Sequence, residues 1–106
     1  MVQPWLSNAN KLGQLLIKKK LSLATAESCT GGLIASSLCA VEGTPLFYAG
    51  GYVTFNNRAK ATILGVKPET LSKYTAVSSQ AVKEMAAGAR LHSGADMSVK
   101  DKAYIA

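Results

Sequence analysis

Six consecutive residues, Glu27-Ser28-Cys29-Thr30-Gly31-Gly32, gather a carboxylate, two hydroxyls and a thiol around a pair of glycines. The residues before them, Leu21-Ser22-Leu23-Ala24-Thr25-Ala26, are small or apolar, as in a strand buried on both faces. Those after them, Gly32–Ala40, read as a mostly apolar helix. In an open α/β sheet, ligands bind outside the carboxyl ends of the strands. Glycines at such a turn let a ligand approach the backbone, and the N–H groups of a helix start attract anions. The hydroxyls of Ser28 and Thr30 add donors. The spacing is not the phosphate-binding G-x-x-x-x-G-K, nor G-x-S-x-G, although a strand–Ser–helix turn shares the latter's logic of exposing a nucleophile. A plain tight turn is the alternative.

A serine nucleophile needs a base. The single histidine, His92, stands near the end of a helix two residues before Gly94, where a solvated imidazole complements the helix dipole. That leaves lysine, which works as a base when partial burial brings its pKa toward roughly 7–8. Lys60 is the candidate, one turn into a helix after the second strand and so again at a strand's carboxyl end. On residue type alone, a lysine on a short helix is more often solvated. Cys29 is a rival nucleophile, because a helix N-terminus lowers a thiol pKa, whereas Cys39 reads as a small buried residue. Glu27 can orient Ser28 or a ligand hydroxyl, and can equally cap the helix or pair with a lysine.

The elements that must position these groups follow from pattern. Residues 4–20 form an opening helix with Pro4 in its first turn and Trp5, Leu6, Ala9, Leu12, Leu15 and Leu16 near one face. Trp5 reads as a core anchor. Residues 47–55 hold the second strand, in which Gly50-Gly51 suggests a bulge or a close backbone approach. Asn56 or Asn57 caps a short helix, 58–64, that Gly65 ends, and Pro68 starts another helical turn. Ser78 caps a longer helix to about Leu91, with a stripe of Ala81, Val82, Met85, Ala86 and Ala89, stopped by Gly94. Residues 95–99 begin a third strand. The order predicts a three-layer α/β domain, a mixed or parallel sheet flanked by helices. The apolar stretch Ala103–Ala106 then leaves an edge or a face of the sheet uncovered.

The 106 residues point to one domain, 1–106. Hydrophobic residues make up 48%, which argues against disorder. Twelve basic and six acidic residues give a net charge of +6, compatible with an anionic partner. The one basic cluster, Lys18-Lys19-Lys20, closes the first helix, where it suits the dipole. Two cysteines make neither a disulfide framework nor a C-x-x-C metal site, and no cofactor is expected. No apolar run reaches the roughly 18 residues of a membrane span, and no leader pattern opens the chain. The expectation is a cytoplasmic protein with no membrane partner. No nucleic-acid recognition motif is visible.

The run Leu23-Ala24-Thr25-Ala26-Glu27-Ser28-Cys29-Thr30-Gly31-Gly32-Leu33 resembles the signature of the CinA C-terminal domain family, the competence/damage-inducible proteins whose members include nicotinamide mononucleotide amidases. Gly51-Tyr52-Val53-Thr54-Phe55-Asn56-Asn57-Arg58-Ala59-Lys60 resembles the family's Val-Thr-Tyr-Ser-Asn-x-Ala-Lys stretch. Leu64-Gly65-Val66, Glu69-Thr70-Leu71, Ala76-Val77-Ser78, Met85-Ala86-x-Gly88-Ala89 and Gly94-Ala95-Asp96 follow in order. The resemblance implies hydrolysis of the carboxamide of nicotinamide mononucleotide to nicotinate mononucleotide and ammonia, without metal. It makes Ser28 the nucleophile and Lys60 the general base, puts Glu27, Thr30, Gly31, Gly32 and Asn57 on the substrate, and suggests a homo-oligomer. The chain departs from the family in two places. Phe55 stands where the family has tyrosine. Lys100-Asp101-Lys102 stands in place of the family's Gly-Ile-Ala-Gly-Pro loop, with Ala103–Ala106 resembling the later Val-Tyr-Ile-Ala strand joined directly. The C-terminal part of the family fold is thus expected to be missing. An inactive paralogue, acting as a nucleotide-binding or oligomeric interaction module, is the alternative.

Overall fold

The computed structural model describes residues 4–101 and 104–105, with side chains for 6–101. The expectation for the Trp5 side chain lies outside these. The chain runs through helix α1 (Pro4–Lys19), strand β1 (Leu23–Glu27), α2 (Leu33–Cys39), a 3-10 turn at Thr44–Leu46, and β2 (Tyr48–Val53). Three helices follow, α3 (Asn57–Leu64), α4 (Pro68–Tyr74) and α5 (Ser79–Ser93), then β3 (Met97–Lys100) and β4 (Tyr104–Ile105). The caps fall where the sequence places them. Asn56 accepts from Ala59 N–H at 2.7 Å and Ser78 from Ala81 N–H at 3.1 Å, while Gly65 and Gly94 end α3 and α5 in the left-handed region.

The sheet order is β2-β1-β3-β4. β1 pairs in parallel with both β2 and β3, and β4 pairs antiparallel to β3, so the sheet is mixed around a parallel three-strand centre. Successive side chains of a strand face opposite ways, and β1 divides accordingly. Leu23 packs with Ala9, Leu16, Leu38, Val41 and Phe47 under α1 and α2. Ala26 packs with Leu64, Val66, Leu71, Ala81, Met85 and Ala89 under α3, α4 and α5. Helices therefore cover both faces. β1 is buried along its whole length, and the carboxyl ends of β1, β2 and β3 come out together at one edge of the three-layer sandwich.

Gly50-Gly51 does both things its sequence suggests. The β1–β2 register slips between Leu23↔Tyr48 and Ala24↔Gly50, leaving Ala49 as the bulged residue. At Gly51 a Cβ would sit 2.3 Å from Thr25 Oγ1 and 2.6 Å from Tyr48 Oη, the two atoms that share a 2.6 Å hydrogen bond across the sheet.

Candidate functional site

β1 delivers Glu27 to the edge of the sheet, and the chain turns there through Ser28–Gly32 into α2. Gly31 and Gly32 have φ of +67° and +105°, a backbone turn that side chains disfavour. The Glu27 carboxylate is fully buried on the α2 side of the sheet. Its Oε1 accepts from Ile34 N–H at 2.6 Å and from Thr30 Oγ1 at 3.0 Å, and its Oε2 accepts from Ala35 N–H at 3.1 Å. The anion that the start of α2 attracts is thus the protein's own, and Glu27 acts as its cap. The place on the substrate expected for Glu27 is corrected accordingly, because its oxygens face the helix, away from solvent.

The partner of Ser28 also differs from the sequence expectation. Among the described residues, the ammonium that hydrogen-bonds Ser28 Oγ is Lys100, with Nζ at 3.0 Å. Lys60 instead donates to the Thr54 carbonyl at 2.7 Å. Both lysines are buried, at 3% and 2% exposure for Lys60 and Lys100. They nevertheless meet at one place. Ser28, Cys29, Lys60 and Lys100 line a cavity of about 290 Å³ whose remaining walls are Phe55, Ala76 and Val77. The Phe55 and Val77 side chains stand exposed at its rim. Asn57 is exposed at the start of α3 and lines a separate cavity with Arg58, Ala61, Pro68, Leu71 and Ser72. The substrate contact expected of Asn57 would thus come from a cavity other than the one that Ser28 lines.

The sequence gives no sign of Lys100, because the Lys-Asp-Lys run reads as a stand-in for the family's glycine-rich loop. The parallel register places Ala26 opposite Lys100, which sets the lysine one step from the Ser28 turn. Its neighbour Asp101 completes the cluster. Asp101 Oδ2 accepts from Ser28 N–H at 2.8 Å, Thr30 N–H at 3.4 Å and Cys29 Sγ at 3.4 Å, and lies 3.3 Å from Thr30 Oγ1, whose one proton is shared with the nearer Glu27 Oε1. Oδ1 takes no well-directed hydrogen bond and is instead ion-paired with Lys100 Nζ. Cys39, expected to be buried, is exposed, as is Cys29.

The electrostatics follow from these contacts. Burial holds the Lys60 pKa below its ordinary value, and the Lys100 charge pushes it the same way, against a smaller opposing pull from Asp101. For Asp101, burial acts upward, but the close Lys100 ammonium and the hydrogen bond from Ser28 N–H outweigh it and bring the pKa to about 2. A carboxyl held below its unfolded value of 3.8 contributes stability that is complete above that value and lost as pH falls toward 2. The contribution is about 2 kcal/mol. Denaturant melts at pH 6 and pH 3 should show wild type losing stability between the two. Asp101→Asn should be weaker at pH 6 and flatter across the range; equal slopes would refute this.

The sequence model of the CinA C-terminal domain matches residues 6–100, nearly the whole chain. The chain belongs to the CinA C-terminal domain family. Protein YdeJ of Escherichia coli is 50% identical over 93 residues, covering 88% of this chain and 54% of that protein. A CinA-like protein of Chloroherpeton thalassium is 47% identical over 88 residues, 83% of this chain and 21% of its own length. Two crystal structures of CinA superfamily proteins superpose closely. That from Enterobacter cloacae has a TM-score of 0.87 at 50% identity, over 90% of this chain and 56% of the other. That from Escherichia coli has a TM-score of 0.88 at 46% identity, over 94% and 60%. The chain thus spans about half the length of YdeJ and a smaller part of the longer CinA-like protein. Its Ser28 turn, Lys60 and Lys100 all lie within the span matched to the CinA domain. Among the described residues, no helix is long and apolar enough to cross a membrane.

Proposed function

We propose that this chain is a CinA-type amidohydrolase domain acting on nicotinamide mononucleotide, with Ser28 as nucleophile and Lys60 as general base. The observation that carries the reading is the shared cavity: Ser28 and a buried lysine with a lowered pKa line the same space at the carboxyl ends of β1 and β2. Neutral Lys60 accepts the Ser28 proton, directly or through one water, as Oγ bonds to the amide carbon. The C–N bond then breaks, the Lys60 ammonium returns the proton to the departing nitrogen, and ammonia leaves. Water, activated by the same amine, hydrolyses the ester at Ser28 and releases the acid. The exposed Phe55 ring at the rim suits a planar heteroaromatic group, and the lysines suit a phosphate-bearing ligand.

The test is ammonia release from nicotinamide mononucleotide by the purified chain, beside Ser28→Ala and Lys60→Ala. Release from wild type that falls at least about a thousandfold in each variant is expected. A folded wild type that releases nothing refutes the hydrolase.

The seating of Asp101 on the Ser28 N–H favours a second reading. That N–H is the kind of donor an oxyanion needs, and here it is engaged. A non-catalytic module would bind the mononucleotide, by calorimetry, without releasing ammonia. Sedimentation of the same sample tests the homo-oligomer.

A further inference from the structure

The resemblance to the family assigns roles to Ser28 and Lys60, but the lysine in contact with Ser28 is Lys100, at the end of β3, to which it assigns none. We infer that Lys100 is a second working lysine of the site: its ammonium, anchored by Asp101, holds Ser28 Oγ and takes up the negative charge that grows on it. The inference rests on the proposed role of Ser28 as nucleophile.

Three observations carry it. The Lys100 Nζ to Ser28 Oγ distance is 3.0 Å, and an ammonium has only donors to offer, so the serine oxygen is the acceptor in this bond. That is the polarity that stabilises an alkoxide and leaves the hydroxyl proton free to go elsewhere. Lys100 is buried and ion-paired with Asp101, whose other oxygen is tied to the Ser28 and Thr30 backbone. The ammonium is therefore fixed to the same turn as the nucleophile and moves with it. Finally, Lys60 shares the cavity but points its Nζ to the Thr54 carbonyl, with no carboxylate in contact among the described residues.

The two lysines thus divide the work by their partners. Lys100 is ion-paired with a carboxylate, whereas Lys60, beside a carbonyl and a like charge, is the one whose neutral form is favoured. Lys100 positions and polarises Ser28, and its charge also helps to keep Lys60 in the base form. The other groups facing this corner do not reverse the assignment. Cys29 is turned to Asp101, and Glu27 to α2. On α5, Glu84 is held by Lys67 N–H and Thr70, while Lys83, Arg90 and His92 are exposed. On β2, Tyr52 packs against the apolar core, and Glu69 and Lys73 of α4 and Arg58 of α3 are exposed.

A fluorophosphonate probe tests this without a natural substrate. Ser28 Oγ bonds to phosphorus, the P–F bond breaks, fluoride leaves, and Lys60 takes the serine proton. Labelling rates are measured from pH 6 to 10, with the labelled residue identified by peptide mass. Wild type should label at Ser28 with an acid limb set by Lys60, and Ser28→Ala should not label there. Lys100→Met should slow labelling roughly ten- to hundredfold, the loss of a charge-assisted hydrogen bond. It should also move the acid limb upward by about half a pH unit or more, because Lys60 loses a neighbouring positive charge and Asp101 loses its partner. Lys100→Arg should leave the limb in place. If Lys100→Met misfolds by circular dichroism, Lys100→Gln takes its place. A merely structural lysine would change the rate without moving the limb, and that outcome overturns the inference. Wild-type rate and limb in the neutral variant, with Lys60→Met impaired, overturn Lys100 alone. A folded wild type that is not labelled at Ser28 overturns the nucleophile and the inference together.

Discussion

Replacing Gly88 by alanine is expected to cost this fold about 3 kcal/mol or more, against the direction that helix propensity dictates. Alanine is favoured over glycine in a helix interior by about 1 kcal/mol, so on local grounds Gly88→Ala should stabilise α5. The packing decides otherwise. A Cβ at Gly88 would lie 1.9 Å from the Leu64 carbonyl oxygen, 2.8 Å from its carbon and 3.2 Å from its Cα. These are backbone atoms at the end of α3, and they cannot swing aside as a side chain would. Relief requires α5 to move off α3, which opens the contacts among Leu64, Val66, Met85 and Ala89. Gly13→Ala is the matched control. Its Cβ would meet the Phe47 ring and a Val41 methyl at 2.9 Å. Those are side chains with some freedom, and the loss there should be smaller. Chemical denaturation of both variants gives the comparison; Gly88→Ala at or above wild-type stability would refute the packing argument.

The same position shows how much of the fold could be read in advance. The helix over Ser79–Ser93 follows from its cap, its apolar stripe and its terminal glycine, all local signals. The identity of its partner does not, because nothing near Gly88 in sequence names Leu64. The site divides in the same way. The Ser28 turn is legible because strand, polar turn, glycines and helix are contiguous. Lys60 is legible as a lysine at a strand's carboxyl end and, by resemblance, as a family residue. Lys100 and Asp101 reach Ser28 through the β1–β3 pairing, a register between segments more than 70 residues apart. Their charge makes them look like connecting chain. Asn57 illustrates the opposite case. It opens the helix that carries Lys60, but the capping role falls to Asn56, and Asn57 lines a cavity other than that of Ser28. Glu27 was within reach of simple alternation. Leu23, Thr25 and Glu27 share one face of β1, and Leu23 packs beneath α1 and α2, so Glu27 had to face α2 as well. A carboxylate at that position ended the apparent strand at Ala26, although the fold buries it as fully as its neighbours.

That burial makes Glu27→Ala the second large effect. The carboxylate accepts from the Ile34 and Ala35 N–H groups and from Thr30 Oγ1, and together these bonds tie the first turn of α2 and the Ser28 loop to the end of β1. A helix this short, seven residues, does not hold itself in water. Truncation to alanine removes all three acceptor contacts and leaves the donors facing a void. Hydrogen bonds to a charged group contribute about 1.5–3 kcal/mol each, not additively, so a loss of about 3 kcal/mol is expected. For a chain of this size that lowers Tm by roughly 10–20 °C. Glu27→Gln separates the shape of the cap from its charge. Its amide oxygen can still serve Ile34 and Thr30, but its NH₂ group then meets the Ala35 N–H donor to donor. It should fall between wild type and alanine. Thermal melts rank the three, and hydrogen exchange at Ile34 and Ala35 locates the change: both amides should lose protection ahead of the α5 amides. Equal protection in wild type and Glu27→Ala would mean that α2 is held by its apolar face alone, through Leu38 and Ile34, with the buried carboxylate contributing nothing to it.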